Sequence, residues 1–105
     1  MSRTITPQEL DNAMRSDRPP LLLDVRRSSD FEPDRALLPG AERRDPEKVA
    51  DWATIVLCDR EIVIYCARGG SVSNSVLDSL LACGFSARYV EGGMEAWRAR
   101  EGETR

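Results

Sequence analysis

One cysteine in this sequence lies where a reactive thiol is most readily stabilised. Cys66 directly follows the apolar run Ile62–Tyr65, which is typical of a buried strand in a parallel sheet. A short glycine-containing loop comes next, and then an amphipathic helix. This order places a thiol at the carboxyl end of a strand, facing the start of a helix. Ligands of open α/β sheets bind at this edge, and the amino end of a helix favours an anion such as a thiolate.

The loop after Cys66 has the composition that a nucleophilic thiolate requires. An ordinary thiol, with a pKa near 8.5, is only about 3% ionised at pH 7, so donors and positive charge must stabilise the ionised form. Gly69 and Gly70 allow the backbone to curl tightly with its amides turned inward, and Arg68 carries the only charge of the loop. A cysteine that ends a buried strand is otherwise often just a small apolar side chain. The candidate site therefore consists of Cys66 as the catalytic residue and a binding loop of Ala67, Arg68, Gly69, Gly70 and Ser71.

The absence of histidine narrows the chemistry further. No histidine occurs anywhere in the chain, which excludes a Ser-His-Asp triad, a Cys-His protease pair and histidine-based metal sites. We expect neither a metal nor another cofactor. If Cys66 is a nucleophile, something other than an imidazole must stabilise its thiolate.

Length and composition indicate one cytoplasmic domain. The 105 residues suffice for a single domain, with a core of about residues 4–100 and a polar tail at 101–105. The net charge of −3 disfavours a nucleic-acid partner, and no apolar run is long enough to span a membrane. The amino terminus lacks the form of a signal peptide. The odd number of cysteines, Cys58, Cys66 and Cys83, favours free thiols in the reducing cytoplasm.

Apolar patterns predict strands that alternate with helices. We expect strands at 4–6, 21–25, 62–65 and 87–90, with a shorter strand at 41–44. Helices are expected at about 6–15, from 45 to about 56, at 71–83 and at 94–100, with one helical turn near 29–32. Thr6 and Glu9 form a capping-box pattern at the first helix, and Gly84 is the expected stop of the helix that follows Cys66. Such alternation predicts a doubly wound α/β domain.

Four segments in this order resemble the rhodanese-like (sulfurtransferase) domain in its compact, single-domain form. They are LLDVR at 22–26, PGA at 39–41, CARG at 66–69, and GF at 84–85 followed by YVEGGMEAW at 89–97. The resemblance implies a central parallel five-stranded sheet with helices on both faces. It also implies that Cys66 takes sulfane sulfur from a donor such as thiosulfate, holds it as a persulfide, and passes it to a thiol or cyanide-type acceptor.

The sequence departs from the family pattern at two positions. Leu37 stands where the family has a histidine, and we expect this change to affect packing rather than chemistry. Ser71 stands where many relatives have an arginine, five residues after the cysteine. An anionic donor would then be recognised by Arg68 and the loop amides. Val72 occupies the sixth position, where cysteine-dependent phosphatases and arsenate reductases of this fold need an arginine to hold an oxyanion, so we expect neither of those activities.

Several residues near the predicted site allow two interpretations. Asp24 and Arg26 end the second strand at the same sheet edge as Cys66. They either support the loop directly or form an ion pair that holds strand to loop, and we favour the ion pair. Ser71 and Ser73 either hydrogen-bond the sulfur or cap the helix, and we expect at least one of them to cap. Cys83 and Cys58 are predicted to be structural, and Trp52 and Trp97 to pack in the core or at its rim.

Two classes of function remain open at this stage. The first is a sulfurtransferase whose partners are a small sulfur donor and a thiol acceptor, either a small molecule or a redox protein. The second is a non-catalytic or persulfide-carrier module that docks a partner protein. In both cases we expect a monomer, with a dimer as the alternative, and no contact with nucleic acid or membrane.

Overall fold

The computed structural model describes residues 3–53, 60–68 and 70–100, with Ser71 described by its backbone alone. The elements run in the order β1 (Thr4–Ile5), α1 (Pro7–Met14), β2 (Leu21–Asp24), α2 (Ser28–Phe31), β3 (Glu42–Arg43), a 3₁₀ turn (Pro46–Lys48), α3 (Val49–Trp52), β4 (Ile62–Tyr65), α4 (Ser71–Ala82), β5 (Ala87–Val90) and α5 (Gly93–Ala99). None of the helices within these ranges is long and apolar enough to cross a membrane.

The strands form one five-stranded sheet in the order β1-β5-β4-β2-β3. Every pairing in the sheet is parallel, so all the carboxyl ends meet at one edge. β4 lies at the centre, between β5 and β2. Its register with β2 places Asp24 opposite Tyr65, and the next amide of β2, on Val25, donates to the Tyr65 carbonyl at 2.8 Å. The chain therefore leaves β2 and β4 side by side, which brings Arg26 and Cys66 to the same region.

Helices cover both faces of the sheet, as the predicted fold class requires. Because successive side chains of a strand point to opposite faces, Ile62 and Ile64 of β4 join one apolar cluster and Val63 and Tyr65 join the other. The first cluster packs against α3 and α4 through a set of helical side chains: Trp52, Val76, Leu77 and Leu80. The second packs against α1 and α5 through Leu10, Met94 and Trp97. Both tryptophans are thus core residues, as predicted.

Local capping signals hold where the sequence places them. The Glu9 amide donates to the Thr6 hydroxyl at 3.1 Å, and the Thr6 amide donates to the Glu9 carboxylate at 3.0 Å. The hydrogen bonds from Thr6, chiefly that of its backbone, lower the pKa of Glu9. At the carboxyl end of α4, Gly84 has φ = 88°. This conformation favours glycine and ends the helix. The capping box and the glycine stop are both confirmed.

The helix expected from residue 45 differs from its prediction. Asp45 caps it by accepting the Glu47 amide at 2.9 Å, but the first turn is a 3₁₀ turn that ends at Lys48 (φ = −117°, ψ = 25°). A short α3 then begins at Val49. Tight 3₁₀ turns are common where helices begin, and the backbone of Lys48, which is neither helical nor extended, interrupts the expected continuous helix. Val56, Cys58 and the predicted tail 101–105 lie outside the described residues. The third strand is shorter than predicted, Glu42–Arg43 instead of 41–44.

Two leucines of α4 provide a matched test of the core. Leu77 is fully buried between α4 and the sheet, whereas Leu81 is 42% exposed. We expect Leu77→Ala to lower the free energy of unfolding by about 2–5 kcal/mol, because it removes buried methyl groups and leaves a cavity. Leu81→Ala should change it by only about 0.5 kcal/mol. Urea denaturation of both variants measures the difference, and equal losses would contradict this assignment of the core face.

Candidate active site

Cys66 lies directly after the central strand, with only 7% of its surface exposed. The start of its loop is held by α5. The Met94 amide donates to the Cys66 carbonyl at 2.9 Å, and the Glu95 amide donates to the Ala67 carbonyl at 3.0 Å. Because α5 supplies these donors from its first turn, the backbone on either side of the Cys66–Ala67 peptide has a rigid support.

A glycine turn sets α5 in this position. Gly92 has φ = 72°, and a Cβ atom at this residue would come within 2.5 Å of the Ala96 Cβ. No larger residue fits there without a shift of the α5 backbone. The Gly-Gly pair that belongs to the closing motif at 89–97 therefore serves the loop at Cys66 through α5.

The far end of the loop is held by α4. Gly70 has φ = 121° and ψ = −122°, a conformation that side-chain-bearing residues rarely adopt, and it occupies the cap position of α4. Its carbonyl accepts two hydrogen bonds from Asn74, one from the backbone amide at 2.8 Å and one from the side-chain Nδ2 at 2.9 Å. The positive φ of Gly70 agrees with the expected tight turn, and the inward direction of the loop amides stays a prediction. Gly69 lies outside the described residues.

No sequence pattern pointed to Asn74, yet it connects the loop to Arg3, which lies just before the outer strand β1. Its Oδ1 accepts from Arg3 Nη2 at 3.0 Å, and Arg3 also pairs with Asp78 at 2.9 Å. Arg3 and Asn74 are 71 residues apart in sequence. The only local signal was an amide side chain in the first turn of the helix, where Asn commonly bonds to nearby backbone. Its partner Arg3 could be found only from the fold.

Asp24 and Arg26 form the buried ion pair that we favoured from the sequence. Both side chains are almost fully buried, and Arg26 Nη2 lies 2.8 Å from Asp24 Oδ2. Arg26 Nε donates to the same oxygen at 2.9 Å, and the Arg26 backbone amide donates to Oδ1 at 2.9 Å. Arg26 also donates to the Ala36 carbonyl at 2.9 Å. The pair thus ties the end of β2 to the segment that leads into β3.

Tyr65 extends this buried network to the central strand. Its hydroxyl accepts the Leu38 amide at 3.1 Å and hydrogen-bonds the Asp24 carboxylate. Burial is the main cause that raises the pKa of Tyr65, and the neighbouring Asp24 charge raises it further. The hydroxyl therefore stays protonated and can donate to Asp24. The residue immediately before Cys66 is in this way fixed to the same ion pair.

Arg68, the predicted anion-binding residue, has a partner on α5. Its Nε lies 3.1 Å from Glu95 Oε2, and both side chains are largely exposed. The two residues lie on a cavity of about 290 Å³ beside the loop. The described residues that line this cavity are Arg26, Asp30, Asp34, Ala67, Arg68, Met94, Glu95 and Arg98. The structure thus places Ala67, Arg68 and Arg26 around one cavity, together with the acidic residues Asp30, Asp34 and Glu95.

The serines near the loop and the other two cysteines differ from their predicted roles where the structure describes them. Gly70, rather than a serine, occupies the cap position of α4 and makes no side-chain cap, so the expectation of a capping serine is wrong for Ser73. Ser73 Oγ is buried and has no hydrogen-bond partner among the described residues, so it does not hydrogen-bond the Cys66 sulfur either. The side chain of Ser71 and the whole of Cys58 lie outside the described residues. Cys83 is a free, exposed cysteine just after α4, so the structure gives no packing role to the thiol that we predicted to be structural.

The fold and this site define an α/β domain whose cysteine loop lies at the carboxyl edge of a parallel sheet. The sequence profile of the Rhodanese-like domain matches residues 6–100. The chain belongs to the rhodanese-like family.

Individual relatives agree with this assignment. The chain is 34% identical over 94 residues to thiosulfate sulfurtransferase GlpE from Pseudomonas savastanoi pv. phaseolicola, covering 89% of this chain and 85% of that protein. A rhodanese-like domain protein from Staphylococcus aureus has a structure that superposes with a TM-score of 0.78 at 33% identity, covering 91% of each chain. A rhodanese-related protein from Thermoplasma volcanium superposes with a TM-score of 0.83 at 21% identity, covering 99% of this chain and 98% of that one, which supports the fold.

The Asn74 side chain is expected to stabilise the closed end of the loop. Asn74→Ala removes one of the two hydrogen bonds to the Gly70 carbonyl, a loss of about 1 kcal/mol, and should accelerate amide hydrogen exchange in residues 66–71 about fivefold. Mass-spectrometric hydrogen exchange on this segment measures the change. Asp78→Ala is the matched control, since it breaks the other contact of Arg3 and leaves Asn74 in place. The idea fails if both variants exchange alike.

Removing one partner of the buried Asp24–Arg26 pair should greatly lower the free energy of unfolding. Arg26→Met leaves the Asp24 carboxylate buried without its counter-charge, and we expect the free energy of unfolding to fall by about 3–5 kcal/mol. Arg15→Met breaks an exposed pair with Asp11, whose N–O distance is 3.0 Å, and should cost at most about 1 kcal/mol. Chemical denaturation compares the two variants. Similar small losses would show that the Asp24–Arg26 pair contributes little to stability.

Proposed function

We propose that this protein is a sulfurtransferase that carries sulfane sulfur on Cys66 as a persulfide. The observation that carries the proposal is the position of Cys66 at the carboxyl end of the central strand, in a loop whose two ends are held by different helices. Membership of the rhodanese-like family and 34% identity to a thiosulfate sulfurtransferase support it. A domain with a purely structural cysteine would not need a loop held in this way.

The reaction divides into two displacements. The Cys66 thiolate attacks the outer sulfur of a donor such as thiosulfate, and sulfite leaves with the electrons of the broken S–S bond. A thiolate or cyanide acceptor then attacks the outer sulfur of the persulfide, and Cys66 leaves as a thiolate. Neither step requires a cofactor or a general base with the pKa of histidine, and the chain contains no histidine.

The loop's role is to hold the sulfur at a constant position through both displacements. The carbonyls of Cys66, Ala67 and Gly70 all accept hydrogen bonds from α4 or α5, so donors already offset their partial negative charge. Carbonyl oxygens carry partial negative charge and would repel a thiolate or a persulfide anion. With these carbonyls occupied, the α4 amino end is the element of the site with favourable polarity for an anion.

Phosphatase or arsenate reductase chemistry has no support at this site. Val72 stands at the sixth position after Cys66, where an oxyanion-holding arginine is required. Arg68 points to Glu95 instead. We therefore do not propose those activities.

Sulfur loading provides the direct test. After incubation with thiosulfate and removal of excess reagent, intact-mass analysis should show one added sulfur on the wild-type protein and none on Cys66→Ser. Cys83→Ser is the matched control, because it removes an exposed thiol and should load like the wild type. Equal loading of the wild type and Cys66→Ser would refute the assignment.

Turnover then separates an enzyme from a carrier. Sulfite release that continues beyond one equivalent when cyanide or a small thiol is present indicates catalysis. Loading of Cys66 without such turnover would instead favour a persulfide-carrier module that docks a partner protein. The two results are read from the same reaction by counting sulfite released per protein.

A further inference from the structure

The cavity beside the Cys66 loop has a charge pattern that a purely anionic substrate does not match. Each of the three arginines that line it already has a carboxylate partner. Arg26 pairs with Asp24 at 2.8 Å, Arg68 with Glu95 at 3.1 Å, and Arg98 with Asp34 at 2.7 Å. The cavity therefore offers no uncommitted cation among the described residues to receive an inorganic dianion.

The acidic side chains exceed what these arginines need. Asp30 also lines the cavity, and it has no ion-pair partner in the described parts of the chain. The Arg98 guanidinium holds the pKa of Asp34 below its usual value, so this carboxylate is ionised at neutral pH. A substrate that brings only negative charge would have to separate an existing ion pair and would face Asp30 as well.

The Arg68–Glu95 pair can exchange partners at little cost in free energy. Arg68 and Glu95 are 84% and 70% exposed, and exposed pairs of this kind contribute little stability. By contrast, the Asp24–Arg26 pair is buried and cannot open cheaply. Glu95 is also held in place through its own backbone, whose amide donates to the Ala67 carbonyl. Its carboxylate thus remains beside the loop when Arg68 turns to another partner.

We propose that this cavity selects a sulfur acceptor that carries both an ammonium and a carboxylate group, that is, a thiol of the amino-acid class. The acceptor carboxylate takes the place of Glu95 on Arg68, and its ammonium group binds Glu95 and Asp30. Such an exchange leaves Arg68 and Glu95 each with a counter-charge and brings a positive group to Asp30, whereas an anionic thiol would leave Glu95 unpaired and a neutral thiol would gain neither contact. The volume of about 290 Å³ suits a molecule of this size.

This inference rests on the proposed function and specifies its second half. The acceptor thiolate attacks the outer sulfur of the Cys66 persulfide. A new S–S bond forms to the acceptor as the bond to Cys66 Sγ breaks, and the bonding electron pair leaves with Sγ. The products are an acceptor persulfide and the Cys66 thiolate, so no external oxidant or reductant enters the step.

The test uses four thiols that differ only in the charged groups beside the sulfur. The acceptors are cysteine, cysteamine, 3-mercaptopropionate and 2-mercaptoethanol, which carry both groups, the ammonium alone, the carboxylate alone and neither. Each reacts with sulfur-loaded protein, and its rate per thiolate is divided by its rate per thiolate with a small-molecule disulfide, because the nucleophilicity of a thiolate itself falls with the thiol pKa. We expect cysteine to be the best acceptor by about fivefold over 2-mercaptoethanol, the size that exchange of an exposed ion pair allows.

Two charge-removing variants should change this preference in opposite ways. Glu95→Gln should lose the advantage of cysteine and cysteamine and speed the reaction with 3-mercaptopropionate. Arg68→Gln should slow cysteine and 3-mercaptopropionate and speed cysteamine, because it frees Glu95 from its partner. Glu91→Gln is the matched control, because Glu91 is exposed, accepts from Thr4 at 2.9 Å, and does not line the cavity. It should keep the wild-type preference.

The outcomes separate this inference from the function on which it depends. If Cys66 takes up no sulfur from any donor, the proposed function and this inference both fall. If loaded protein transfers sulfur to all four thiols at equal rates relative to the disulfide reference reaction, or if Glu95→Gln keeps the wild-type order, only the acceptor selectivity is overturned. An intact fold in each variant is verified by circular dichroism.

Discussion

A single buried ion pair organises the edge of the sheet on which the candidate site lies. Asp24 and Arg26 are almost wholly removed from water, and two charges in that position persist only when each satisfies the other. The pair engages Tyr65 from the central strand and the carbonyl of Ala36 from the next segment. The Arg26 carbonyl in turn accepts Arg43 Nη2 at 2.8 Å. The ends of β2, β3 and β4 therefore have one relative position in which all these groups have hydrogen-bond partners. Cys66 is the residue directly after β4, so this arrangement also fixes where its backbone begins.

Above this base, the cysteine loop is supported from two sides by independent elements. α5 donates its first amides to the beginning of the loop, and Asn74 of α4 donates twice to its end. The supports lie on opposite faces of the sheet, since α4 belongs to one apolar cluster and α5 to the other. Packing of either helix thus affects the loop, which couples the stability of the core to the geometry of the thiol. The family's closing motif gains a physical meaning here, because its glycines place α5 close enough to reach the Cys66 carbonyl.

The arginines of the site divide by burial into two groups with different uses. Arg26 is buried and committed to structure, whereas Arg68 and Arg98 pair with carboxylates at the rim of the cavity. An exposed ion pair is only slightly more stable than its separated, hydrated groups, so such a pair can open for a ligand of matching charge. The rhodanese-like fold therefore supplies the cysteine and its loop. The rim charges lie on Arg68 of the loop and on Asp34, Glu95 and Arg98 outside it, and the proposed acceptor selectivity depends on them.

The sequence by itself determined the strands, most helix ends and the position of Cys66, because these depend on short-range patterns. A buried parallel strand needs consecutive apolar residues, a helix stop with positive φ needs Gly84, and a capping box needs Thr6 and Glu9 three residues apart. The Asp24–Arg26 pair was also within reach, since the two residues are close in sequence. Only the tertiary structure revealed Asn74 held by Arg3, Glu95 beside Arg68, and the cavity that brings Asp30 next to these ion pairs. These contacts join segments that are 27 residues or more apart in the printed chain, and whether two distant charges meet is decided by how the helices pack on the sheet, which no local pattern records.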